Sequence, residues 1–297
     1  MEKMAVIKKS AGDHIFDFIN AVFMCFMIVI TLYPFIYVVM ASLSVPKLFL
    51  AHTGLLLRPV GFSLESYEAV LRNPNIKIGY VNTVFIVVVG TLCNVIATAI
   101  GAYVLSRKGP FWKGPLMFII VITMFVGGGL VPNYILIQNL GLYNSLWSLI
   151  LPGLISTHNM IVMRTAFQGI PESLEESARI DGANDWTILF KVIIPLAIPT
   201  MAVISLFYAV SHWNSWFSAM IYLKDKTKYP LQLVLREIIV QSQVSDMTTM
   251  DSYMDRYAVS QTVKYATIMV ATIPILCVYP FLQKYFVKGV MIGAIKG

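Results

Sequence analysis

From Phe18 to Val45 the chain carries no Asp, Glu, Lys or Arg, and several later windows are as long and as uncharged. Such windows leave the backbone few choices. Roughly 20 apolar residues in a helix cross the hydrocarbon core of a bilayer, where each peptide group must find its partner within the segment. A helix meets that demand, and an open strand or loop does not. The chain is therefore read as an all-α membrane protein, with the lipid bilayer as its main solvent. Composition agrees: 58% of the residues are hydrophobic and 12% are charged, half the ~25% usual in soluble domains. The formal net charge of +7 then bears on topology, and no nucleic-acid partner is expected.

Six transmembrane helices are expected. A cytoplasmic N-terminus (1–14) leads into the first span (15–45), where Pro34 marks a kink that neighbouring helices can tolerate. The basic approach to it, Lys3, Lys8 and Lys9, imitates a signal peptide. The apolar run exceeds the ~7–15 residues of such a segment and no A-x-A site follows, so it is read as a retained helix. An external loop (46–78) holding Pro46, Pro59, Gly61 and Pro74 precedes a five-helix core over 79–284. Within the core, spans are placed near 79–106, from Lys113 onward, and near 145–164, 200–223 and 264–284. A cytoplasmic loop (165–199), a polar loop (224–263) and a tail (285–297) complete the chain. Gly127 to Gly129 and Pro132 should break the third span and leave a short interfacial helix up to Leu140.

Orientation follows from the short connections. Lys3, Lys8 and Lys9 precede the first span, and Arg107, Lys108 and Lys113 crowd the connection between the second and third. The connection between the third and fourth has no Lys or Arg, so both termini are expected in the cytoplasm and 224–263 outside. Cys25, Cys93 and Cys277 fall inside apolar runs and read as small buried hydrophobes. No CxxC, HExxH or Cys/His cluster suggests a metal.

One stretch breaks the apolar pattern: "EESARIDGANDW", residues 175–186, between two hydrophobic spans. Pro171 suits the first turn of a helix, and Glu172, Glu175 and Glu176 complement the positive end of its dipole. Leu174 and Ala178 share a face, with Ser177 beside them. Gly182 offers a left-handed stop, and Asn184 or Asp185 can cap a following helix that runs apolar toward Pro195. The signals describe a short helix with a narrow small-residue face. It could seat in a groove of another protein, its charged flank setting register. From these residues alone an ordinary cytoplasmic helical loop also fits.

The wider pattern adds to this. Glu176-Ser177-Ala178, Gly182, and then Val192, Ile194 and Pro195 resemble the EAA loop of importer permeases: E-A-A, three residues, G, nine residues, I-x-L-P. Ser177, Val192 and Ile194 are conservative departures from it. "GLYNSLWSLILP", "HWNSW" and the closing "FVKGVMIGAIKG" are similar to the carbohydrate-uptake, maltose-type branch of the binding-protein-dependent ABC permeases. The resemblance covers about residues 14–297. It implies a type I ABC importer permease fold in the cytoplasmic membrane of a bacterium or archaeon. The implied partners are a second homologous permease, two ABC ATPase subunits and an extracytoplasmic solute-binding protein. It also implies that Glu175, Glu176, Ser177, Ala178, Arg179, Asp181, Gly182 and Ala183 couple the chain to an ATPase, and that the C-terminal tail can enter that interface.

No catalytic residues are expected. The chain has no G-x-x-x-x-G-K-[ST] loop to hold phosphates, so ATP and Mg belong to a partner and no cofactor is expected here. Apart from the flanks, the spans hold His158 and His212 and almost nothing else that ionises. An ion-coupled transporter usually places carboxylates at mid-membrane, which speaks against that alternative. His158 is read as satisfying a buried hydrogen bond. Tyr208, His212, Trp213, Asn214 and Trp216 bring aromatic faces and polar groups together in the fifth span, a chemistry that suits sugars. Helix packing is the plainer reading of the same residues. Ala97 and Gly101 read as a close helix-packing face.

Overall fold

The structure is a computed structural model describing residues 11–107, 112–245 and 254–294. Among these, every regular element is helical, and the one strand-like feature is a bridge between Ser44 and Phe62. The α-helices are α1 (Ala11–Ser42), α2 (Pro46–Ala51), α3 (Glu65–Arg72), α4 (Pro74–Ser106), α5 (Lys113–Ile122), α6 (Leu130–Asn139) and α7 (Thr157–Gln168). They continue as α8 (Glu172–Ile180), α9 (Asp185–Ile188), α10 (Ile194–Leu196), α11 (Ile198–Trp213), α12 (Phe217–Tyr222), α13 (Leu231–Ser245) and α14 (Met254–Ala294). The chain divides into two units, one within 1–72 and 241–270, the other within 73–240 and 271–297.

In the first unit, α1 is apolar on all sides and exposed along its spanning window. A helix of that kind needs lipid or another chain around it. Tyr37, Phe49 and Tyr265 form a triangle of edge-on rings 5.6 to 6.3 Å apart, and the buried Ser66 hydroxyl donates to Thr262 at 2.8 Å. The expected external loop therefore has structure of its own, since α2 and α3 both lie in it.

The second unit is built on α4. It starts earlier than expected because Asn73 accepts from the Asn75 N–H at 3.0 Å and Pro74 sits where its missing N–H costs nothing. One apolar core joins Ala99, Ala102 and Tyr103 of α4 to Met163 and Phe167 of α7 and to Ile204 and Tyr208 of α11. A second joins Ile86, Ile137, Ile150, Tyr222 and Leu233. A Cβ on Gly101 would lie 3.3 Å from the Met160 sulfur, in keeping with a close-packing face.

The expected six spans appear differently. The described residues hold three continuous helices long and apolar enough to cross a membrane, and two bent pairs raise that to five. The expected third span is the ten-residue α5, about 15 Å long against a core of about 30 Å. The helix stops at Ile122, and α6 follows the three glycines. The fourth span begins as two 3₁₀ turns, Leu146–Leu149 and Leu151–Gly153, and bends by 51° into α7. The fifth follows an 88° bend between α10 and α11. Pro195 and Pro199 both lack the N–H that would continue the helix, and the turn before them, Leu189–Ile193, opens into π geometry. The expected polar loop at 224–263 holds α13, whose Leu231, Leu233, Val234 and Leu235 are buried. Cys25 and Cys277 are exposed and not buried as expected, because they lie on outward apolar faces.

Candidate functional site

The acidic stretch forms α8, and its ends are fixed by local chemistry. Pro171 occupies the N-cap position, one residue before the first turn. At the other end Gly182 has φ +81°, its N–H bonds the Arg179 carbonyl at 3.0 Å, and the Ala183 N–H reaches back to the Ala178 carbonyl at 2.9 Å. This is a Schellman stop, and it depends on a residue that tolerates positive φ. Asn184 caps the next helix, its side chain accepting from the Thr187 N–H at 2.8 Å.

The two adjacent glutamates do different things. Glu176 is exposed, whereas Glu175 is buried and meets Arg107 at 2.5 Å and Arg179 at 3.1 Å, with the Tyr103 hydroxyl donating at 3.4 Å. Arg107 also donates to the Phe167 carbonyl at 3.0 Å, in the last turn of α7. Lys113 donates to the Arg107 carbonyl at 2.8 Å, and Arg164 to the Leu105 carbonyl at 3.0 Å. Cations on the carbonyl ends of α4 and α7 satisfy their orphan acceptors and complement their dipoles. Arg179 bridges onward to Asp185, and the two carboxylates, Glu175 foremost, hold its guanidinium above its ordinary range. Arg107, Lys113 and Arg164 had been legible only as topology charges or span ends.

The outward face differs from the expected one. Ala178 and Ala183 turn inward and pack against the apolar core, because the Schellman bond folds them to the same side. Ser177, Asp181 and Gly182 are exposed. Beside them Ile180 is 86% exposed, and Trp186 and Phe190 stack with centroids 6.2 Å apart, both exposed. The exposed side of this helix-turn therefore includes large apolar side chains, where a narrow small-residue face is the sequence expectation.

Of the five residues considered for a sugar path, two belong to the packing. Tyr208 is buried, its hydroxyl 2.7 Å from that of Thr98 and accepting from the Ser156 N–H at 2.9 Å. His212 is buried with Nε2 2.8 Å from Asn94 Oδ1, and the Asn94 amide donates to the Gly153 and Leu154 carbonyls at the break before α7. Trp213 is half-buried and its indole N–H finds no partner among the described residues. Asn214 and Trp216 are exposed, at the break between α11 and α12, and the Arg236 guanidinium lies 4.5 Å from the Trp216 ring centroid. His158 is exposed, and its Nδ1 makes a long, part-buried bond to Asn159 Oδ1 at 3.4 Å in place of the expected buried one.

Asn144, at φ +57°, was not singled out. Its side chain accepts from the Lys224 and Asp225 N–H groups and donates to the Asp225 carboxylate, while Lys228 donates to its carbonyl. These contacts, the Asn144 amide foremost, hold the Asp225 carboxyl below its usual range. Asn tolerates the left-handed conformation better than most residues, which is the physical sense of the N in "GLYNS".

Broken apolar helices packed on one long rod, with a capped helix-turn clamped at the rod's end, are the architecture of a helical transport permease. The chain belongs to the family of binding-protein-dependent transport system inner membrane components, whose pattern matches residues 93–292. It is 41% identical to the polygalacturonan/rhamnogalacturonan transport system permease protein YtcP of Bacillus subtilis, over 96% of this chain and 99% of that one. It is 35% identical to the protein LplC of the same organism over the full length of both. Among solved structures it is similar to a bacterial ABC transporter involved in import of the acidic polysaccharide alginate. That similarity has a TM-score of 0.85 and 35% identity, covering 94% of this chain and 99% of the other.

Proposed function

We propose that this chain is one of two homologous permease subunits of an importer that carries acidic oligosaccharides into the cell, with ATP hydrolysed by two separate ATPase subunits. Its sugar arrives on an extracytoplasmic solute-binding protein. Both termini and residues 172–184 lie in the cytoplasm, and α8 docks on an ATPase subunit. The observation that carries this reading is the exposed apolar patch of Ile180, Trp186 and Phe190 standing beside a helix clamped from behind by Arg107 and Glu175. An apolar patch rimmed by polar residues marks a protein contact, and the clamp gives that contact purchase on the membrane helices. Support for the substrate class comes from chemistry shared by the relatives. Polygalacturonan is a chain of galacturonic acid and alginate is described as acidic, so both present carboxylate-bearing sugars.

The test uses a cysteine at Ile180 in a chain whose three native cysteines are replaced by serine. In the assembled complex Ile180→Cys is expected to form a cross-link to the ATPase and to resist a membrane-impermeant thiol reagent added from outside. Labelling from outside, or a cross-link to no ATPase, would sink the reading.

A further inference from the structure

The C-terminal half of α4 carries many of the contacts that tie the second unit together. Gly90, Asn94, Thr98 and Tyr103 follow one another along its second half, and Arg107 is its C-cap, about 25 Å from Gly90 along the axis. Each ties down a different piece. Arg107 and Tyr103 hold Glu175 of α8, and Arg107 also holds the end of α7. Thr98 meets Tyr208 of α11, which in turn holds the Ser156 N–H ahead of α7. Asn94 holds the carbonyls of Gly153 and Leu154 together with His212, and His212 sits directly on Gly90. Two residues beyond His212 the chain breaks at the exposed Asn214.

Every one of these joints except that at Glu175 lies within or between the apolar helices. Glu175 is the joint between α4 and the helix that faces the partner. Its side chain is 10% exposed and that of its main partner, Arg107, is 15%, while the Arg179 side chain on the other side is 50% exposed. The inner bond is therefore the one solvent screens least, whereas the outer one resembles a surface pair of small effect.

We infer that Glu175, gripped by Arg107, is a positioning residue for transport: it fixes α8 to α4 so that a displacement of α8 moves α4, α7 and α11 as one body. This rests on the reading that α8 docks on the ATPase. The inference needs no chain of small shifts. A packed helix pair transmits displacement because its interior does not compress, provided the moving element cannot slide at its attachment. Ala178 and Ala183 offer the core little surface to grip. Without the ion pair α8 could rock about its Schellman stop while α4 stayed behind.

The test compares Glu175→Gln, Arg107→Gln and the double variant in the reconstituted complex, reading uptake per ATP hydrolysed and normalising to assembled complex. Each single change is expected to lower that ratio roughly tenfold, within the range by which such links modulate coupling. Because the two residues form one joint, the double variant should be no worse than the poorer single. Arg72→Gln, which removes only the exposed pair with Glu68, should leave the ratio unchanged. Arg107→Lys, which keeps the charge but loses the planar fork that reaches both Glu175 and the Phe167 carbonyl, should also lower it, and serves where Gln at 107 impairs assembly.

A wild-type ratio in Glu175→Gln or Arg107→Lys would overturn the inference, as would a double variant whose loss is the product of the two singles. The Ile180→Cys cross-link separates the two levels. If it forms in the Glu175→Gln complex while the ratio is normal, docking stands and the joint does not matter. If it is missing in the wild-type complex, the docking reading falls and the inference with it.

Discussion

Gly182→Val is expected to leave the permease in the membrane at normal abundance and to reduce coupled uptake at least tenfold. A Cβ built on Gly182 meets nothing within 4 Å, so the substitution causes no collision. Its cost is conformational: φ is +81°, and a β-branched residue held there costs on the order of 1–3 kcal/mol. The chain relieves that cost most cheaply by giving up the bonds from Gly182 to Arg179 and from Ala183 to Ala178, which set the angle between α8 and α9. Gly182→Asn is the control, because Asn tolerates the left-handed region, and it should retain most of the uptake. Equal loss in both variants would show that the side chain, and not the backbone conformation, is what the partner senses.

Gly90→Val should have the largest effect on stability. The added Cβ would stand 2.6 Å from His212 Nε2 and 3.0 Å from two ring carbons, too close for any real contact. The ring cannot simply swing aside, since Nε2 is held by Asn94, and Asn94 holds the carbonyls of Gly153 and Leu154. Overpacking of this kind costs about 1–3 kcal/mol, and losing a buried hydrogen bond adds about 1 kcal/mol. A total near 2–4 kcal/mol should appear as a lower melting temperature in detergent and a lower yield of monodisperse protein. Gly90→Val combined with His212→Ala should recover part of the loss, because the smaller side chain vacates the contested space. A double variant no more stable than Gly90→Val alone would mean that another neighbour makes the position intolerant.

Such effects show where sequence reasoning reached and where it stopped. The first and second spans were legible because an uncharged run of that length has one low-energy form in lipid. The capped helix at 172–180 was legible for a different reason, since each of its stops is a local signal carried by Gly182 and Asn184. What could not be read was anything set by the partner across the fold. Glu175 and Glu176 are neighbours of the same chemistry, and only the position of Arg107, far away in sequence, makes one buried and the other exposed. For His212 and Tyr208 the sequence leaves sugar contact and helix packing both open, because Asn94 and Thr98, which bond them, are far away in the chain. The α13 helix was missed because its charged and amide residues masked Leu231, Leu233, Val234 and Leu235, whose burial comes from contacts with α4 and its neighbours. Arg107 and Lys113 read from the sequence as topology charges, and their bonds to helix-end carbonyls need coordinates to see.

The central claim is that this chain conducts a sugar because an attached ATPase moves it. The most direct measurement is uptake of radiolabelled oligogalacturonate into proteoliposomes that contain this permease, its partner permease and the ATPase, with ATP sealed inside and the binding protein outside. Uptake should require ATP and the binding protein together, and should continue when a protonophore collapses the proton gradient. Uptake that proceeds without ATP and disappears with the proton gradient would contradict the account.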